Sequence, residues 1–524
     1  MKIQPRNERK FNDIADLLYP PLDADGNPVL DKNGNPVEYT DLGMPVFLIS
    51  VDEMLTKTGA QYCRCAIRSR YSHVEVNANI WNKTKASLTA EFPEKSPVWV
   101  ELQRQTYKNA PSFSIKGMSA APAEVTAEDF FVTTPLAPSD MLSKLKGIIR
   151  YVEGRKEGFV PAKIVKQLYS DHEEKLLYWP AAKTIHHNCF GGLMYHNYRQ
   201  AVMAYYITQL YDPGFMSRKI NLGGEACIES ILDFCMRKHG ELSDLVVSVY
   251  DRYRDVLLAN EDALRSIVRR MYLANCLTNT YEGDQEIIYA GLALRPIGKL
   301  VYGGDSFKMS FIGPEMVTLE ILDDILEYDG GEIPERILAL KHCVCSYPAH
   351  GVDPAITYPA VREAFVTYGA ELLDQAMMEN VNGEMLVCAT MLHDIGKLIE
   401  FNSDKMGNGE YSPAGNMIGH LAIGTEMINA EIRKHPDWIV SDTDLHDVEM
   451  LKHCILSHHN KLEWSAVVEP QTPEARALFA LDYIDSRMYT VDKSELRTIP
   501  GLMDEATNFP LHARLYHPFY REEE

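Results

Sequence analysis

At 524 residues the chain is too long for a single hydrophobic core, and its 46% hydrophobic and 24% charged residues are typical of a globular protein. The net charge of −22 excludes nucleic-acid binding through the overall electrostatic field, so any contact with an anionic substrate must be local. The sequence has no signal-peptide core at its start, and no apolar stretch of the roughly 18 residues that a membrane span requires. The ten cysteines include no CxxC pair, which is typical of a reducing compartment. We therefore expect a cytoplasmic protein with no membrane partner.

Residues 1–44 are predicted to be an N-terminal extension. They begin with polar residues and then carry two similar turns, at residues 25–29 and 33–37. Asp-Gly and Asn-Gly steps of the kind found there favour tight turns.

Residues 45–131 alternate between apolar and polar side chains, as short β-strands do. Strand patterns closely spaced in so short a segment favour a small barrel such as the OB-fold. Basic and acidic residues are nearly balanced there, although the whole chain is acidic, so this segment is the predicted nucleic-acid-binding barrel. The candidate binding residues are Tyr62, Arg64, Arg68, Trp81 and Lys83. Trp81 and Phe113 could also stack on bases, but for these two residues packing in the barrel core is the favoured interpretation.

After a proline-containing linker at residues 135–139, apolar residues recur at helical spacing almost to the end of the chain, and strand patterns vanish. The expected fold is therefore mainly α, with an all-helical core preceded by a small β-barrel.

A series of histidine and aspartate clusters lies within the last third of the chain. Each cluster lies in or beside an apolar helical pattern, where an unpaired charged or imidazole group would be costly to bury. A single histidine of this kind is more often a core or capping residue, but the joint occurrence favours a metal site suited to Mn, Fe, Zn or Mg. The clusters are His393-Asp394, His420, His458-His459, and Asp482 with Asp485.

A second segment with several histidines lies upstream, at residues 180–197. The pair Gly191-Gly192 allows a tight turn before a helix that starts near Leu193 and carries His196. Together with the downstream series, His196 is a candidate first ligand.

These motifs, in this order, resemble the HD phosphohydrolase superfamily, and more specifically the YhaM family of 3′–5′ exoribonucleases, in which an OB-fold precedes a metal-dependent HD domain. The resembling runs are Pro180 to Asn197, Leu392-His-Asp-Ile-Gly-Lys397, Ile418 to Gly424, Leu456 to Trp464, and Thr472 to Ala475. The resemblance implies a catalytic HD domain, which we expect at residues 132–210 and 378–500, with 501–524 as a C-terminal tail. It further implies that Lys397 lies near the phosphate, that His187 is close to the reaction centre, and that the metal ligands are His196, His393, Asp394, His420, His458 or His459, and Asp482.

The long separation between His196 and His393 departs from the family pattern. The intervening residues 211–377 are predicted to be a degenerate HD-like copy, because four blocks match the later motifs in the same order. The matches are 290–300 with the run ending at Leu398, 311–316 with 417–422, 340–348 with 451–459, and 372–377 with 483–488. Poor ligands occupy the ligand positions of this copy, namely Arg295, Pro296, Pro314, Tyr347 and Pro348, and only Glu371 could bind a metal.

This copy is predicted to be non-catalytic: a partner surface, a wall of the substrate path or a homo-oligomer contact. We expect it to be an insertion whose ends return close together, so that His196 reaches the site. In a strict tandem arrangement His196 would instead belong to the degenerate copy, with His350 as the fallback ligand.

The expected reaction is phosphodiester hydrolysis by a 3′–5′ exoribonuclease that acts on single-stranded RNA, with single-stranded DNA as a further substrate. We expect two divalent ions, bridged by Asp394 and a water that they activate, with manganese favoured and iron, magnesium, zinc, cobalt or nickel as alternatives. One alternative function is a nucleotide or cyclic-nucleotide phosphohydrolase that uses the same metal site. The other is a non-catalytic RNA-binding scaffold.

Overall fold

A computed structural model of the chain forms two compact units, residues 1–133 and 134–524. It describes residues 9–18, 39–56, 59–107, 110–183, 186–211, 223–237, 240–277, 285–302, 313–327, 333–345, 357–377, 381–403, 409–495, 503 and 514–516. The predicted turns at 25–29 and 33–37, the fallback ligand His350 and most of the predicted tail lie outside the described residues.

The first unit is built on a closed β-barrel with the strand order β1-β2-β3-β5-β4. The pairing of β3 with β5 is parallel, and the other pairings are antiparallel. The strands are β1 (Asp41–Leu55), β2 (Gln61–Ser69), β3 (Glu75–Trp81), β4 (Ser96–Tyr107) and β5 (Ala110–Ala120). The predicted small barrel is thus confirmed.

The barrel extends beyond the predicted boundary at residue 45. Strand β1 begins at Asp41, and the short helix α1 (Ala15–Leu18) belongs to the same unit, because Ile14 and Leu17 join the barrel core. Helix α2 (Lys85–Glu91) follows β3, is capped by the Thr84 side chain and places Leu88 in that core. A 3₁₀ turn, Ala127–Phe130, ends the unit.

The second unit is almost entirely helical, as predicted. Its first group of helices comprises α3 (Pro138–Arg155), α4 (Val160–Asp171), α5 (Glu173–Leu176) and α6 (Gly192–Tyr211). The middle group comprises α7 (Gly224–Met236), α8 (Glu241–Arg252), α9 (Arg254–Leu258), α10 (Glu261–Leu277), α11 (Gln285–Leu294), α12 (Ile297–Tyr302), α13 (Pro314–Ile325), α14 (Glu335–Cys345) and α15 (Tyr358–Met377). The last group comprises α16 (Gly383–Leu392), α17 (Lys397–Glu400), α18 (Pro413–Met417), α19 (His420–Lys434), α20 (Asp442–Ser457) and α21 (Pro473–Glu495).

The first and last groups pack against each other around α16. This helix is apolar on all sides and fully buried, as expected of a helix at the centre of a core. It contacts α3, α4 and α6 on one side and α20 and α21 on the other. Segments that lie far apart in the sequence therefore meet at its C-terminal end.

A small hairpin departs from the expectation that strands vanish after the linker. Strands β6 (Phe401–Ser403) and β7 (Gly409–Tyr411) pair antiparallel between α17 and α18. Strands of three residues are too short to produce an alternating pattern in the sequence. Short 3₁₀ turns occur at Pro436–Trp438 and Leu462–Trp464. In the described part of the chain, the helices are too short or too polar to cross a membrane.

Candidate metal centre

The candidate metal ligands lie at or near helix ends that converge on the C-terminus of α16. His393 caps α16, and Asp394 follows it in the turn before α17. His420 is the first residue of α19, and His458 caps the end of α20. A helix end leaves backbone groups unpaired, and these can orient a neighbouring side chain.

The two carboxylate oxygens of Asp394 face different imidazoles. Oδ2 lies 3.4 Å from Nε2 of His196 and 3.4 Å from Nε2 of His393. Oδ1 lies 3.4 Å from Nε2 of His420 and 3.8 Å from Nε2 of His458. Asp394 therefore stands between two groups of nitrogen donors.

Asp482 and His459 extend the two groups. Oδ1 of Asp482 lies 3.1 Å from Nε2 of His196, so it adds a carboxylate to the group on the Oδ2 side of Asp394. His459 joins the other group, because its ligand atom and those of His420 and His458 all lie within 4.8 Å of one another. The structure thus brings together all the histidines and carboxylates that the sequence analysis named as metal ligands.

The rings are oriented by hydrogen bonds from Nδ1. His393 donates to the carbonyl of Thr390, and His458 donates to the carbonyl of Ile455. In both rings Nδ1 carries a proton, so the nitrogen left for a metal is Nε2, which points toward Asp394. An imidazole held in this way is preorganised for a metal.

His420 is held in the same way by a carboxylate. Its Nδ1 lies 2.9 Å from Oε1 of Glu400, and its backbone N–H donates to the same oxygen. Glu400 was missed by the sequence analysis, and its spacing from His420 offers no periodic signal that could have found it.

The loop before α6 delivers His186 and His187 into the buried site. Trp179 anchors its start, because its indole N–H donates to the carbonyl of Lys397. The loop then returns so closely that a Cβ on Gly192 would lie 1.8 Å from the carbonyl oxygen of His187. Glycine is therefore required at this position for steric reasons.

His186 and His187 have different neighbours. Ligand atoms of His186, His196 and Asp394 fall within one cluster, so His186 is a further candidate ligand. His187 was expected near the reaction centre, but its Nε2 lies 2.7 Å from Oδ2 of Asp485. The tandem histidines were visible in the sequence, but only the loop conformation separates their roles.

Asp485 is a second residue that the predicted site lacked. The same Oδ2 accepts a hydrogen bond from Nδ1 of His196 at 2.6 Å, which leaves Nε2 of His196 facing Asp394. Asp485 follows Asp482 at a spacing of i+3, which places both carboxylates on one face of α21. That spacing was the available sequence signal.

Lys397 and Gln200 complete the polar lining. The Lys397 ammonium is buried and donates to Oδ2 of Asp394 at 2.6 Å. The Gln200 side chain lies on α6, where its Nε2 donates to Oδ1 of Asp482 at 3.0 Å. Gln200 was not singled out by the sequence analysis.

The electrostatics of the site fit a cation. Burial disfavours charge on Asp394, but Lys397 and His393 outweigh it and hold the pKa of this carboxyl well below its usual range. Burial lowers the pKa of His458 well below its ordinary value and that of His459 to about 4, so both offer neutral lone pairs. The neutral imidazoles of His458 and His459 beside the ionised Asp394 are in the protonation states that metal ligation requires.

Two orphaned atoms point to the same conclusion. Among the described residues, neither Oδ1 of Asp394 nor Nε2 of His420 has a hydrogen-bond partner, although both are buried. Buried polar atoms are almost always paired, and unpaired ones call for an unseen ion or water. The nitrogen and oxygen donors present are those that Mn, Fe, Zn and Mg accept.

The predicted nucleic-acid-binding residues lie in the barrel unit. Tyr62 and Trp81 have ring centroids 4.8 Å apart, and both line a groove of about 910 Å³ together with Lys83. The Trp81 side chain is 48% exposed, whereas Phe113 is buried in the barrel core. Arg64 is exposed and alternates with the inward Cys63 and Cys65, on the same outward face as Tyr62.

Arg68 is placed differently. Its guanidinium is buried, lies 2.6 Å from Glu75 and donates to the carbonyl of Phe130 at 3.4 Å. A buried guanidinium with such partners cannot reach a phosphate without losing them. Arg68 is therefore omitted from the proposed nucleic-acid-binding surface.

Comparison with known proteins finds relatives of part of the helical unit. Residues 365–487 match the family described as the HD domain. The chain is 35% identical over 142 residues to the 3′-5′ exoribonuclease YhaM of Listeria monocytogenes serotype 4b. The matched region covers 27% of this chain and 42% of the relative. It is 36% identical over 126 residues to the protein of the same name from serovar 1/2a, with coverages of 24% and 38%.

The chain spans less than half the length of these curated relatives. No solved structure matches it. The resemblance predicted from the sequence motifs is nevertheless confirmed: the chain contains an HD domain, and part of it is related to the YhaM exoribonucleases.

Proposed function

We propose that this protein is a metal-dependent phosphodiesterase that degrades single-stranded RNA from the 3′ end. The observation that carries the proposal is the buried Asp394 carboxylate, whose two oxygens each face a separate pair of imidazoles. This arrangement suits two divalent ions bridged by one carboxylate. Manganese is the ion we favour among those that accept a mixed set of imidazoles and carboxylates.

The residues that would hold the ions fall into two groups. His196, His393 and Asp482 would hold one ion, His420, His458 and His459 the other, and Asp394 would bridge them. When bound, such ions lower the pKa of a coordinated water and offset charge on phosphoryl oxygens. The ammonium of Lys397 contacts Oδ2 of Asp394, so it adds a positive charge beside the ions and the phosphate that they would bind.

The chain's other residues orient this site. Asp485 holds Nδ1 of His196, and Glu400 holds Nδ1 of His420, so that both rings keep Nε2 directed at Asp394. His187 donates to Asp485 and thus acts on the site through His196 rather than through the substrate. We accordingly propose His187 as a positioning residue and His186 as an added ligand.

The barrel is proposed to bind the strand. Tyr62 and Trp81 present aromatic faces in the groove, and base stacking on such faces does not require a particular sequence. Lys83 lines the same groove and provides positive charge for phosphates. A strand-binding module favours a polynucleotide substrate over a mononucleotide, as does the exoribonuclease activity for which the relatives are named.

We further propose that residues 211–377 are a degenerate HD-like copy inserted into the catalytic domain, whose parts are 132–210 and 378–500. Helices α4 and α8 end with nearly the same backbone conformation. The residue after α4 is His172, with φ −116° and ψ 15°, and the residue after α8 is Tyr253, with φ −110° and ψ 17°. A Cβ on Gly298 would lie 2.3 Å from the carbonyl of Pro314, and one on Gly396 would lie 2.0 Å from that of His420. These matched contacts support an equivalent packing of α12 with α13 and of α17 with α19.

Among the ligand positions of the copy that the structure describes, Glu371 alone carries a side chain that could bind a metal, and its carboxylate lies 3.7 Å from Nη2 of Arg270. A single carboxylate does not make a metal site. Arg295 stands at the position of His393 and forms a buried ion pair with Glu363, and Pro314 stands at the position of His420. Only Ala259 and Asn260 separate α9 from α10, where the catalytic half has the loop with His186 and His187. Tyr347 and Pro348 lie outside the described residues.

The test is a product analysis with the full chain and Mn²⁺. The substrates are 5′-labelled single-stranded RNA and DNA, deoxynucleoside triphosphates and cyclic dinucleotides. A ladder of shortened RNA that keeps its 5′ label is the expected result. Hydrolysis of the nucleotides with intact RNA would favour the nucleotide phosphohydrolase alternative, and no turnover with tight RNA binding would favour the scaffold.

A further inference from the structure

The middle group of helices makes one extensive contact with α21, the helix that supports the metal centre. Helix α15 packs along α21, the helix that carries Asp482 and Asp485. A Cβ on Gly369 would meet the Ile484 side chain at 2.1 Å, so the two helices approach closely at the height of these carboxylates. The copy therefore borders directly on the back of the site.

A buried arginine crosses this contact. Arg362 lies on α15, and its side chain is fully buried. Its Nη2 lies 3.1 Å from Oδ1 of Asp492 and 2.5 Å from Oε2 of Glu495, both on α21. A guanidinium has a fixed fork of donors, so it fixes the carboxylates that it binds.

From Asp492 a line of charges leads to the metal centre. Oδ2 of Asp492 lies 3.9 Å from Nη1 of Arg199, and Nε of Arg199 lies 2.6 Å from Oδ1 of Asp485. The other oxygen of Asp485 holds Nδ1 of His196. Positive and negative groups alternate along the whole path, and every one is buried or nearly so.

We propose that Arg362 is a positioning residue for the metal centre, supplied by the degenerate copy. Arg362 fixes Asp492, Asp492 orients Arg199, and Arg199 holds Asp485 against the ring of His196. This inference rests on the proposed metal centre and not on the identity of the substrate. It gives the copy a role in catalysis although it lacks ligands of its own.

The physical reason is the cost of a buried unpaired charge. Without Arg362, the Asp492 carboxylate would lose its strongest cation, and burial already raises the pKa of this carboxyl to about 6. A neutral Asp492 would no longer hold Arg199 in place, so Asp485 and His196 would sample other orientations. Removal of a direct outer partner of a metal ligand, the place that Asp485 holds here, typically costs about 10- to 100-fold in metal affinity, and we expect the lower end of that range for residues further along the path.

The chain provides a matched control. Arg295 and Glu363 form another buried ion pair within the degenerate copy, with side-chain exposures of 8% and 0%. Removal of either arginine takes a buried guanidinium away from a carboxylate, so both changes should lower thermal stability. On the proposed path, only Arg362 connects to the metal centre.

The experiment measures the Mn²⁺ dissociation constant of the full chain by calorimetry and by electron paramagnetic resonance, together with the unfolding temperature in chelator. The variants are Arg362→Met, Arg362→Lys, Asp492→Asn and the control Arg295→Met. We expect Arg362→Met and Asp492→Asn to weaken Mn²⁺ binding by about 10-fold, Arg362→Lys to restore part of the affinity, and Arg295→Met to leave it unchanged.

If Arg362→Met does not fold, the isosteric Asp492→Asn still tests whether the path from Arg362 to His196 supports metal binding. Equal Mn²⁺ affinity in Asp492→Asn and wild type would overturn the inference. So would a loss in Arg295→Met as large as that in Arg362→Met, because the effect would then be general destabilisation. If the wild-type protein bound no Mn²⁺, the proposed metal centre itself would fail, and the inference with it.

Discussion

His196 and His393 lie far apart in the sequence, yet their Nε2 atoms are 3.3 Å apart. This proximity arises because α6 packs directly along α16, although these two helices are far apart in the sequence. The described helices between them join the same hydrophobic core. Candidate ligands from both sides of the proposed insertion therefore meet at one site.

Asp394 is expected to be indispensable for metal binding. Asp394→Asn keeps the side-chain shape but removes the charge that faces both imidazole groups, so bound Mn²⁺ and RNA turnover should both fall below detection. Metal content by mass spectrometry and turnover of labelled RNA test this expectation. Asp437→Asn, at an exposed site, is the control, and stoichiometric metal in Asp394→Asn would refute the assignment.

His196 is expected to act as a ligand despite its place before the insertion. His196→Ala should weaken Mn²⁺ binding by at least about 10-fold, because a buried nitrogen ligand and its hydrogen bond to Asp485 are lost. The control His172→Ala removes a half-buried imidazole of the same unit that lies outside the site. Calorimetric titration with Mn²⁺ measures the affinity of both variants. Equal affinities in the two variants would contradict the assignment of His196 as a ligand.

The close approach at Gly192 is expected to make it intolerant of substitution. In Gly192→Ala the new Cβ would clash with the His187 carbonyl, so unfolding free energy should fall by about 1–3 kcal/mol. Gly147→Ala is the matched control, since a Cβ at that position would have no neighbour within 4 Å and alanine favours the helix interior. Chemical denaturation measures both, and equal stabilities would show that the loop accommodates the methyl group.

Trp81 is expected to bind substrate without supporting the fold. Its side chain is largely exposed, so Trp81→Ala should leave the unfolding temperature almost unchanged. Loss of a stacking face should weaken binding of long single-stranded RNA by about 1–3 kcal/mol, while turnover of a dinucleotide stays the same. Fluorescence anisotropy and single-turnover kinetics measure these quantities.

Leu55→Ala is the control for that experiment, because Leu55 is 69% exposed in the same barrel and does not line the groove. Equal RNA affinity in the Trp81 and Leu55 variants would show that the groove does not bind the strand.

The sequence alone determined which residue types could form the site and which parts of the chain are barrel or helical. Alternation with a period of two marked the strands, and the motif order around His393-Asp394 marked the HD domain, because both signals are local in the chain. The same local signals could not separate His186 from His187, or reveal Glu400 and Asp485 as the partners that orient the ligands.

Those distinctions depend on side-chain direction, which only packing between distant helices decides. The tertiary structure buried Arg68 beside Glu75 and Phe130 and left Trp81 exposed, although both occur in similar alternating strands. It also placed Arg362 against Asp492, at a contact between α15 and α21 that no sequence motif predicts. Periodicity predicts the element on which a residue lies, whereas the partner of a buried charge is set by which elements meet.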